Sequence, residues 1–174
     1  MKAWFFAAMV MASPVRGQGM DAYIGTYTTP DAPGGIYAAQ FDPETGKWRE
    51  PRLAAKAKNP AFLALGRKTL YAAIETDPGA VRAYAIGPRR TLTFLNEQPS
   101  GGDGACHVSV DAAGKHVLIA NYGGGSAAVF PVRADGSLGA RSDLAAFQGS
   151  GPNPRRQRKS YGHAVNAWGD FVYA

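Results

Sequence analysis

Residues 106–130 read CHVSVDAAGKHVLIANYGGGSAAVF. Three short apolar runs, HVSV, HVLIANY and SAAVF, are separated by DAAGK and GGG. Valine, isoleucine, tyrosine and phenylalanine favour strands, and glycine supplies the positive φ that tight turns require. Val108 and Val110 alternate with Ser109 at the two-residue period of a strand with one buried face. This stretch therefore predicts three consecutive strands joined by tight turns.

The same cassette recurs along the chain. Strands that begin at Tyr23, Tyr71, Val117 and Phe171 follow one another at intervals of 48, 46 and 54 residues. Preceding strands are predicted at 61–65, 107–110 and 163–165, following strands at 36–41, 81–86 and 127–132, and outer turn-and-strand segments at 42–48, 87–94 and 133–138. Four short strands in just under fifty residues are typical of a β-propeller blade. The predicted fold is all-β, with no helix longer than about two turns after residue 20.

The N-terminus has the pattern of an export signal. Lys2 is followed by a ten-residue apolar run, Ala3 to Ala12, which is too short to span a membrane. The pattern predicts cleavage between Ala12 and Gly19, with residues 1–19 outside the fold and residues 20–174 forming the propeller part. The alternative is a disordered N-terminal extension or a misassigned start codon. The predicted location is periplasmic or secreted, with no membrane association after signal removal, or cytoplasmic under the alternative.

Charge and cysteine content narrow the choice of function. The net charge is +6, and Arg155, Arg156, Arg158 and Lys159 fall within five residues. The cluster is interpreted as either a solvated basic loop or a site for an anionic ligand, and no nucleic-acid module accompanies it. A single cysteine, Cys106, excludes an internal disulfide and is expected to act as a small buried hydrophobe.

Six segments together carry a family resemblance: YIGTYT, GGIYAAQFDPETG, NPAFLAL, LNEQPSGGDGACHVSVD, ANYGGGSAAVFPVRADGSLG, and GSGPNPRRQ followed by HAVN. On these the chain resembles the lactonase family of seven-bladed β-propellers, which includes propeller-type 6-phosphogluconolactonases and a carboxymuconate-cyclising enzyme. The resemblance implies about three blades of a seven-bladed ring, incomplete at both ends, and remaining blades are needed to close it. After its Arg-Gln pair the family usually has two histidines separated by one residue. Here only His163 is present, and Tyr161 stands in the other place.

Candidate site residues follow from both lines of reasoning. Equivalent positions in adjacent blades lie at the same height around the axis, so His107 and His163 are expected on one rim with the basic loop. The proposed catalytic residues are His107, Arg156 and His163. The proposed substrate-binding residues are Arg155, Asn121, Glu75 and Gln157. Their alternative roles are ordinary ones: His107 caps a strand, Asn121 makes a turn bond, and Glu75 is a solvated charge.

The implied function is hydrolysis of a lactone. Opening a lactone requires water attack on an ester carbonyl, a base for that water, and donors for the developing oxyanion. The expected substrate is a small anionic or sugar lactone, phosphorylated or not, and arginine suits a phosphate. No cofactor is implied, and three histidines without an acidic or cysteine partner at ligand spacing predict no metal site. Two alternatives remain: a non-catalytic exported binding propeller and a carboxymuconate-type cycloisomerase. The fragment by itself is expected to be inactive.

Overall fold

The computed structural model describes residues 6–11 and 19–174. Within these residues every extended element is a β-strand, and the only helical piece is a 3-10 turn at Pro88–Arg90. The all-β prediction is therefore confirmed, and so is the absence of a long helix from the part of the chain after residue 20 that the structure describes.

The strands form three four-stranded antiparallel sheets and one two-stranded hairpin. In each large sheet the strands follow chain order from the inner to the outer strand. The first blade contains β1 (Phe6–Met11), β2 (Met20–Thr26), β3 (Gly35–Asp42) and β4 (Lys47–Lys56). The second contains β5 (Pro60–Leu65), β6 (Thr69–Ile74), β7 (Ala80–Ile86) and β8 (Leu92–Pro99). The third contains β9 (Ala105–Val110), β10 (His116–Asn121), β11 (Ser126–Pro131) and β12 (Asp143–Ala146), and the hairpin is β13 (Asn166–Trp168) with β14 (Phe171–Tyr173).

The turn between β9 and β10 shows how the sequence defines a hairpin. The carboxylate of Asp111 accepts the backbone N–H groups of Lys115 and His116 at 2.7 and 3.1 Å. Gly114 donates its N–H to the Asp111 carbonyl and has a φ of +69°. A side chain with two acceptor oxygens and a residue that tolerates positive φ therefore close this turn, as the DAAGK segment predicted.

The blades pack face to face, with their inner strands side by side. β5 lies between β1 and β9, and β13 approaches the far side of β9. The second strand of a blade is covered on both faces, so all six residues of β6 are buried. Three apolar clusters fill the gaps between successive blades. They centre on Tyr23, Leu70 and Tyr84 in the first gap, on Tyr71, Ile119 and Phe130 in the second, and on Leu118 and Val165 in the third.

The first blade differs from the sequence prediction at its inner strand. The sequence left residues 1–19 out of the fold and the first blade without a strand before Tyr23. In the structure β1 occupies that place, with Val10 opposite Tyr23 and Met11 opposite Ala22. An apolar run with β-branched and aromatic residues can supply the ladder that the exposed edge of β2 requires. Residues 12–18 of the predicted cleavage region lie outside the described residues, so export stays a prediction.

The outer strand of the third blade was placed wrongly. Residues 133–138 form a turn instead, in which Arg133 donates its N–H to the Ser137 carbonyl at 2.9 Å. Among the described residues, a single isolated bridge between Val132 and Leu138 joins the two sides of that turn. The outer strand comes later, at β12, where Leu144 pairs with Ala128. Four exposed residues in β12 gave no apolar alternation by which to recognise it.

The opening strand of the last hairpin was also misplaced. Residues 163–165 were predicted as that strand, but β13 begins at Asn166. The segment is bonded to side chains of β9 instead of a neighbouring strand. Ser109 donates its hydroxyl to the Val165 carbonyl at 2.7 Å, and Val165 donates its N–H to Nδ1 of His107 at 3.3 Å. These contacts hold the chain beside the inner strand before the hairpin starts.

Candidate functional site

The candidate site lies at one end of the propeller axis. Inner and second strands are antiparallel, so the residues that open an inner strand lie beside those that end the second strand. The register shows this pairing directly: Ile74 is opposite Pro60, and Asn121 is opposite Ala105. We call this end the mouth. We define it by five residues, which are Tyr27, Glu75, His107, Tyr122 and His163.

Three mouth residues occupy the same position in successive blades. Thr26 pairs with Gly35, Ile74 with Ala80, and Asn121 with Ser126 at the last rung of each hairpin. The next residues are therefore Tyr27, Glu75 and Tyr122. The sequence prediction made Asn121 the repeat equivalent of Glu75 and missed Tyr122. That prediction compared residue types and had no strand pairing by which to align the blades.

Asn121 is a buried turn residue. It has no exposed surface, and its Nδ2 donates to the Ser100 carbonyl at 3.2 Å and to the Ser126 hydroxyl at 3.0 Å. Both partners are buried, and they tie the third blade to the loop that precedes it. Burial leaves Asn121 no surface with which to contact a substrate in this structure, and its contacts match the turn-bonding alternative.

Tyr27 and Glu75 form a pair across the first two blades. The Tyr27 hydroxyl donates to a carboxylate oxygen of Glu75 at 2.5 Å. Burial and the Glu75 carboxylate together raise the pKa of Tyr27 to about 12, so the phenol keeps its proton. Asn59 supports the pair by donating its Nδ2 to the Glu75 carbonyl at 3.1 Å and accepting the N–H of Thr28 at 2.9 Å. Glu75 is therefore a positioned carboxylate at the mouth.

His107 is held as a neutral imidazole. Its ring packs on Phe62, with centroids 4.3 Å apart, and its Nδ1 accepts the Val165 N–H. Burial and the neighbouring His163 lower the pKa of His107. Since Nδ1 accepts a hydrogen bond from the backbone N–H of Val165, the ring proton of the neutral form lies on Nε2. His107 can therefore donate one hydrogen bond from Nε2.

We expect the pKa of His107 to lie below the ordinary histidine value of 6.5, because burial and His163 both oppose the charged ring. Between the pKa of the folded state and 6.5, the unfolded chain binds this proton more readily than the folded chain. The free energy of unfolding therefore falls as pH falls through that window, and above pH 6.5 this histidine costs the folded state no stability. An NMR titration of the imidazole measures this. His163→Gln is expected to raise the pKa only part of the way, since burial remains. A pKa of His107 at or above 6.5 would contradict the arrangement.

His163, the neighbour of His107, stands in an aromatic group at the mouth. It is exposed, and its ring meets Tyr122 edge-on with centroids 5.7 Å apart. Tyr122 stacks on Tyr161 at 4.8 Å. Lys159 lies 5.6 Å over the Tyr161 ring, and its Nζ donates to the Gly123 carbonyl at 2.6 Å. Tyr161 thus contributes a ring to the wall beside His163.

The basic loop is internally braced and exposed. The Asn153 side-chain oxygen accepts the N–H groups of Arg155 and Arg156 at 3.0 and 3.2 Å. The Gln157 side-chain oxygen accepts the Asn153 N–H at 3.0 Å, so Gln157 is used to hold the turn. Within residues 19–174 the Arg155 and Arg156 side chains make no ion pair with an acidic residue. The structure places His163 beside His107, and Glu75 beside Tyr27 and near Cys106, but it records no contact between the two arginine side chains and the histidines.

Cys106 has the character of a structural thiol. Its Sγ is 3.5 Å from the Gly162 carbonyl and 3.6 Å from the His163 carbonyl. Burial, and next the Glu75 carboxylate, raise the pKa of Cys106, so the thiolate is disfavoured. Among the described residues no three His, Cys, Asp or Glu side chains approach one another closely enough to hold a metal ion. No described helix has the length and apolar character to cross a membrane.

Comparison with known proteins identifies the family. The family model for the lactonase seven-bladed β-propeller matches residues 21–174. The chain is 43% identical over 140 residues to 6-phosphogluconolactonase of Bacillus subtilis, covering 78% of this chain and 40% of that protein. A solved Bacteroides fragilis structure matches with a TM-score of 0.78 at 35% identity, covering 88% of this chain and 44% of the other. The Pseudomonas aeruginosa periplasmic gluconolactonase matches with a TM-score of 0.74 at 29% identity, covering 83% and 43%. The chain spans less than half the length of these relatives, and it belongs to the lactonase family of seven-bladed β-propellers.

Proposed function

We propose that the mouth forms part of a lactone-hydrolysing site, which a complete ring would close. The observation that carries the proposal is His107, held neutral with a single donor at Nε2 on the axis end of an inner strand. A lactone carbonyl gains negative charge on its oxygen as water attacks, and a fixed neutral donor stabilises that charge without itself needing to lose a proton. His107 is thus assigned to the carbonyl oxygen.

The remaining candidate residues are assigned to parts of the substrate by their charge and position. Glu75 accepts hydroxyl groups of a sugar lactone, with Tyr27 holding its carboxylate in place. His163, the neighbour of His107, is assigned to the same carbonyl group. Arg156 and Arg155 supply cations for an anionic substituent such as a phosphate, and Gln157 keeps their turn in shape. We assign no metal to the reaction, and the base that activates water is expected from the remaining blades.

The proposed substrate is a sugar lactone, phosphorylated or not. The named activity of the Bacillus subtilis relative supports the phosphorylated form, and the Pseudomonas aeruginosa neighbour supports a plain gluconolactone. That neighbour is periplasmic, which agrees with the export pattern of residues 1–19. We therefore propose a periplasmic or secreted enzyme, and an exported enzyme would meet lactones outside the cytoplasm.

The basic loop provides the test of the anion assignment. In a ring-complete version, made by joining this chain to the C-terminal blades of the Bacillus subtilis relative, Arg156→Ala is expected to lower kcat/KM for a phosphorylated lactone at least about tenfold, roughly 1.4 kcal/mol. Stability should hardly change, because an exposed loop arginine contributes little to it. Lactone hydrolysis measured at several substrate concentrations gives the comparison.

Arg67→Ala is the matched control, since Arg67 is also exposed but lies in the hairpin at the other end of the second blade. An Arg156→Ala enzyme as active as the Arg67→Ala enzyme would remove Arg156 from the site. The 174-residue chain assayed alone is expected to be nearly inactive, and full activity of that chain would show that the ring is not required.

A further inference from the structure

A cavity opens on the perimeter of the propeller, away from the mouth. Its volume is about 430 Å³. The lining residues come from the outer strand of the first blade and the two outer strands of the second: Ala55, Lys56, Arg82, Tyr84, Leu92 and Phe94. We call this cavity the perimeter cleft. None of its lining residues belongs to the mouth, and both of its walls are formed by complete four-stranded blades.

The gap between the second and third blades shows which residues occupy the equivalent positions in the next repeat. Rung by rung, Arg82 opposite Ala72 corresponds to Ala128 opposite Ile119, and Tyr84 opposite Leu70 corresponds to Phe130 opposite Val117. In the same way, Leu92 opposite Ile86 corresponds to Leu138 opposite Val132. Ala128, Phe130 and Leu138 have no exposed surface. The second gap is therefore sealed with apolar groups, whereas the first carries a cation and a phenol in the same positions.

The phenolic proton of Tyr84 is left without an acceptor. Tyr84 is 2% exposed, and its hydroxyl lies beside the Arg82 guanidinium, which can only donate, so no residue that the structure describes accepts from the hydroxyl. Burial raises the pKa of Tyr84, while the nearby Arg82 guanidinium opposes that rise, so the hydroxyl stays protonated and remains a donor. A buried donor without an acceptor carries a free-energy cost that a bound acceptor would relieve. Phenylalanine, as in the second gap, would avoid that cost.

The charges around the cleft are positive on balance. The Arg82 Nε donates to Glu97 at 2.5 Å, and the guanidinium lies 6.0 Å from the centre of the Phe94 ring. Lys56 is exposed at the rim and has no ion-pair partner in the described part of the chain. No acidic residue lines the cavity itself. Lys56 therefore remains available to pair with an anion, whereas Arg82 already shares its charge with Glu97.

The apolar part of the lining limits the shape of the occupant. Leu92, Phe94 and Ala55 provide one side, and the Phe94 and Tyr84 rings meet edge-on with centroids 5.9 Å apart. A cavity of this size suits a small organic molecule. An inorganic anion would leave these apolar groups uncovered, and a cation would meet Lys56 and Arg82. The lining therefore calls for an apolar body with one anionic group.

We propose that the perimeter cleft binds a small amphipathic carboxylate, with its apolar body against Phe94 and Leu92 and its carboxylate accepting from Lys56 and Tyr84. This site is separate from the lactone site and does not depend on that activity. Binding of this ligand would account for the polar groups of Arg82 and Tyr84 between the first and second blades, where the gap between the second and third blades has apolar residues.

Benzoate serves as the probe, and benzyl alcohol as its uncharged control. Titrated into the 174-residue chain and followed by NMR, benzoate is expected to shift the backbone amides of Ala55 and Phe94 saturably, with a Kd on the order of 1 mM. Benzyl alcohol should bind at least about tenfold more weakly, because it lacks the charge for Lys56. Equal binding of the two probes would overturn the proposal, as would benzoate shifts confined to the mouth.

Two variants separate binding from folding. Tyr84→Phe is expected to weaken benzoate binding at least about threefold while leaving the melting temperature unchanged or higher, because it removes a buried hydroxyl donor that has no acceptor. Lys56→Gln should weaken benzoate binding similarly, and Arg67→Gln, remote from the cleft, should not. Unaltered benzoate affinity in both Tyr84→Phe and Lys56→Gln would refute the site.

Discussion

Replacing His107 with phenylalanine in the ring-complete version is expected to lower kcat/KM for a sugar lactone by about 10²–10³, the usual loss when one oxyanion donor is removed. The substitution follows the repeat itself. His107 pairs with Ala120 as Phe62 pairs with Ala73, so the second blade already has phenylalanine at this position. The variant keeps an aromatic ring against Phe62 but removes both the Nε2 donor and the Nδ1 acceptor of the Val165 N–H. The melting temperature reports the loss of the Val165 contact, and a fall in activity without a matching fall in melting temperature is assigned to the missing donor.

The same substitution at another histidine provides the control. His116 lies in the hairpin at the far end of the third blade, where its Nδ1 is 2.9 Å from the Asp111 carboxylate. His116→Phe should leave kcat/KM within about twofold of the parent, since surface changes away from the site usually have small effects. Lactone hydrolysis and the melting temperature are measured for both variants. If His107→Phe retained activity within threefold of His116→Phe, the assignment of His107 to the carbonyl would be lost.

The blade repeat could be predicted because its information is local. Each hairpin is defined by its own turn, as Asp111 and Gly114 define the one between β9 and β10. The second strand of each blade is buried on both faces, and its unbroken apolar run stands out in the sequence. The family resemblance then supplied the number of blades in the full ring, which no property of this chain alone would give.

The outer strands were harder to predict because they form by pairing with a neighbouring strand and not through a pattern in their own residues. All four residues of β12 are exposed, and the strand exists only because β11 offers it an edge. The sequence therefore favoured residues 133–138, whose turn has the stronger local signal. The inner strand of the first blade is a similar case, since nothing in the apolar run of residues 3–12 distinguishes a signal segment from a strand that pairs with β2.

At the mouth, the sequence could suggest candidate residue types but could not predict which residue stands at the end of each paired strand. Asn121 pairs with Ser126 at the last rung of its hairpin and is buried there, so the next residue, Tyr122, is the one that reaches the mouth. Residue types alone did not show which of these two neighbours is buried. The pairing of Tyr27 with Glu75 also joins residues 48 positions apart, so only the packing of two blades reveals it.

Replacing Phe130 with alanine is expected to lower the free energy of unfolding of the 174-residue chain by about 3–5 kcal/mol, as for other large aromatic side chains removed from a core. Phe130 has no exposed surface and packs between the second and third blades with Val81, Ile119 and Leu138. The surrounding strands are paired on both sides, so they cannot collapse into the space that the ring leaves. Urea denaturation followed by circular dichroism measures the loss.

Phe94→Ala is the control, because Phe94 is the same residue type but 56% exposed at the perimeter. It should cost roughly 1 kcal/mol or less, since little apolar surface returns to water when its ring is removed. The difference between the two variants tests where the stability of this chain resides. If the blades were stable individually, Phe130→Ala would cost little more than Phe94→Ala, because each sheet would keep its own hydrogen bonds. A loss several times larger would show that blades are stabilised by their neighbours, since the apolar clusters lie in the gaps between them.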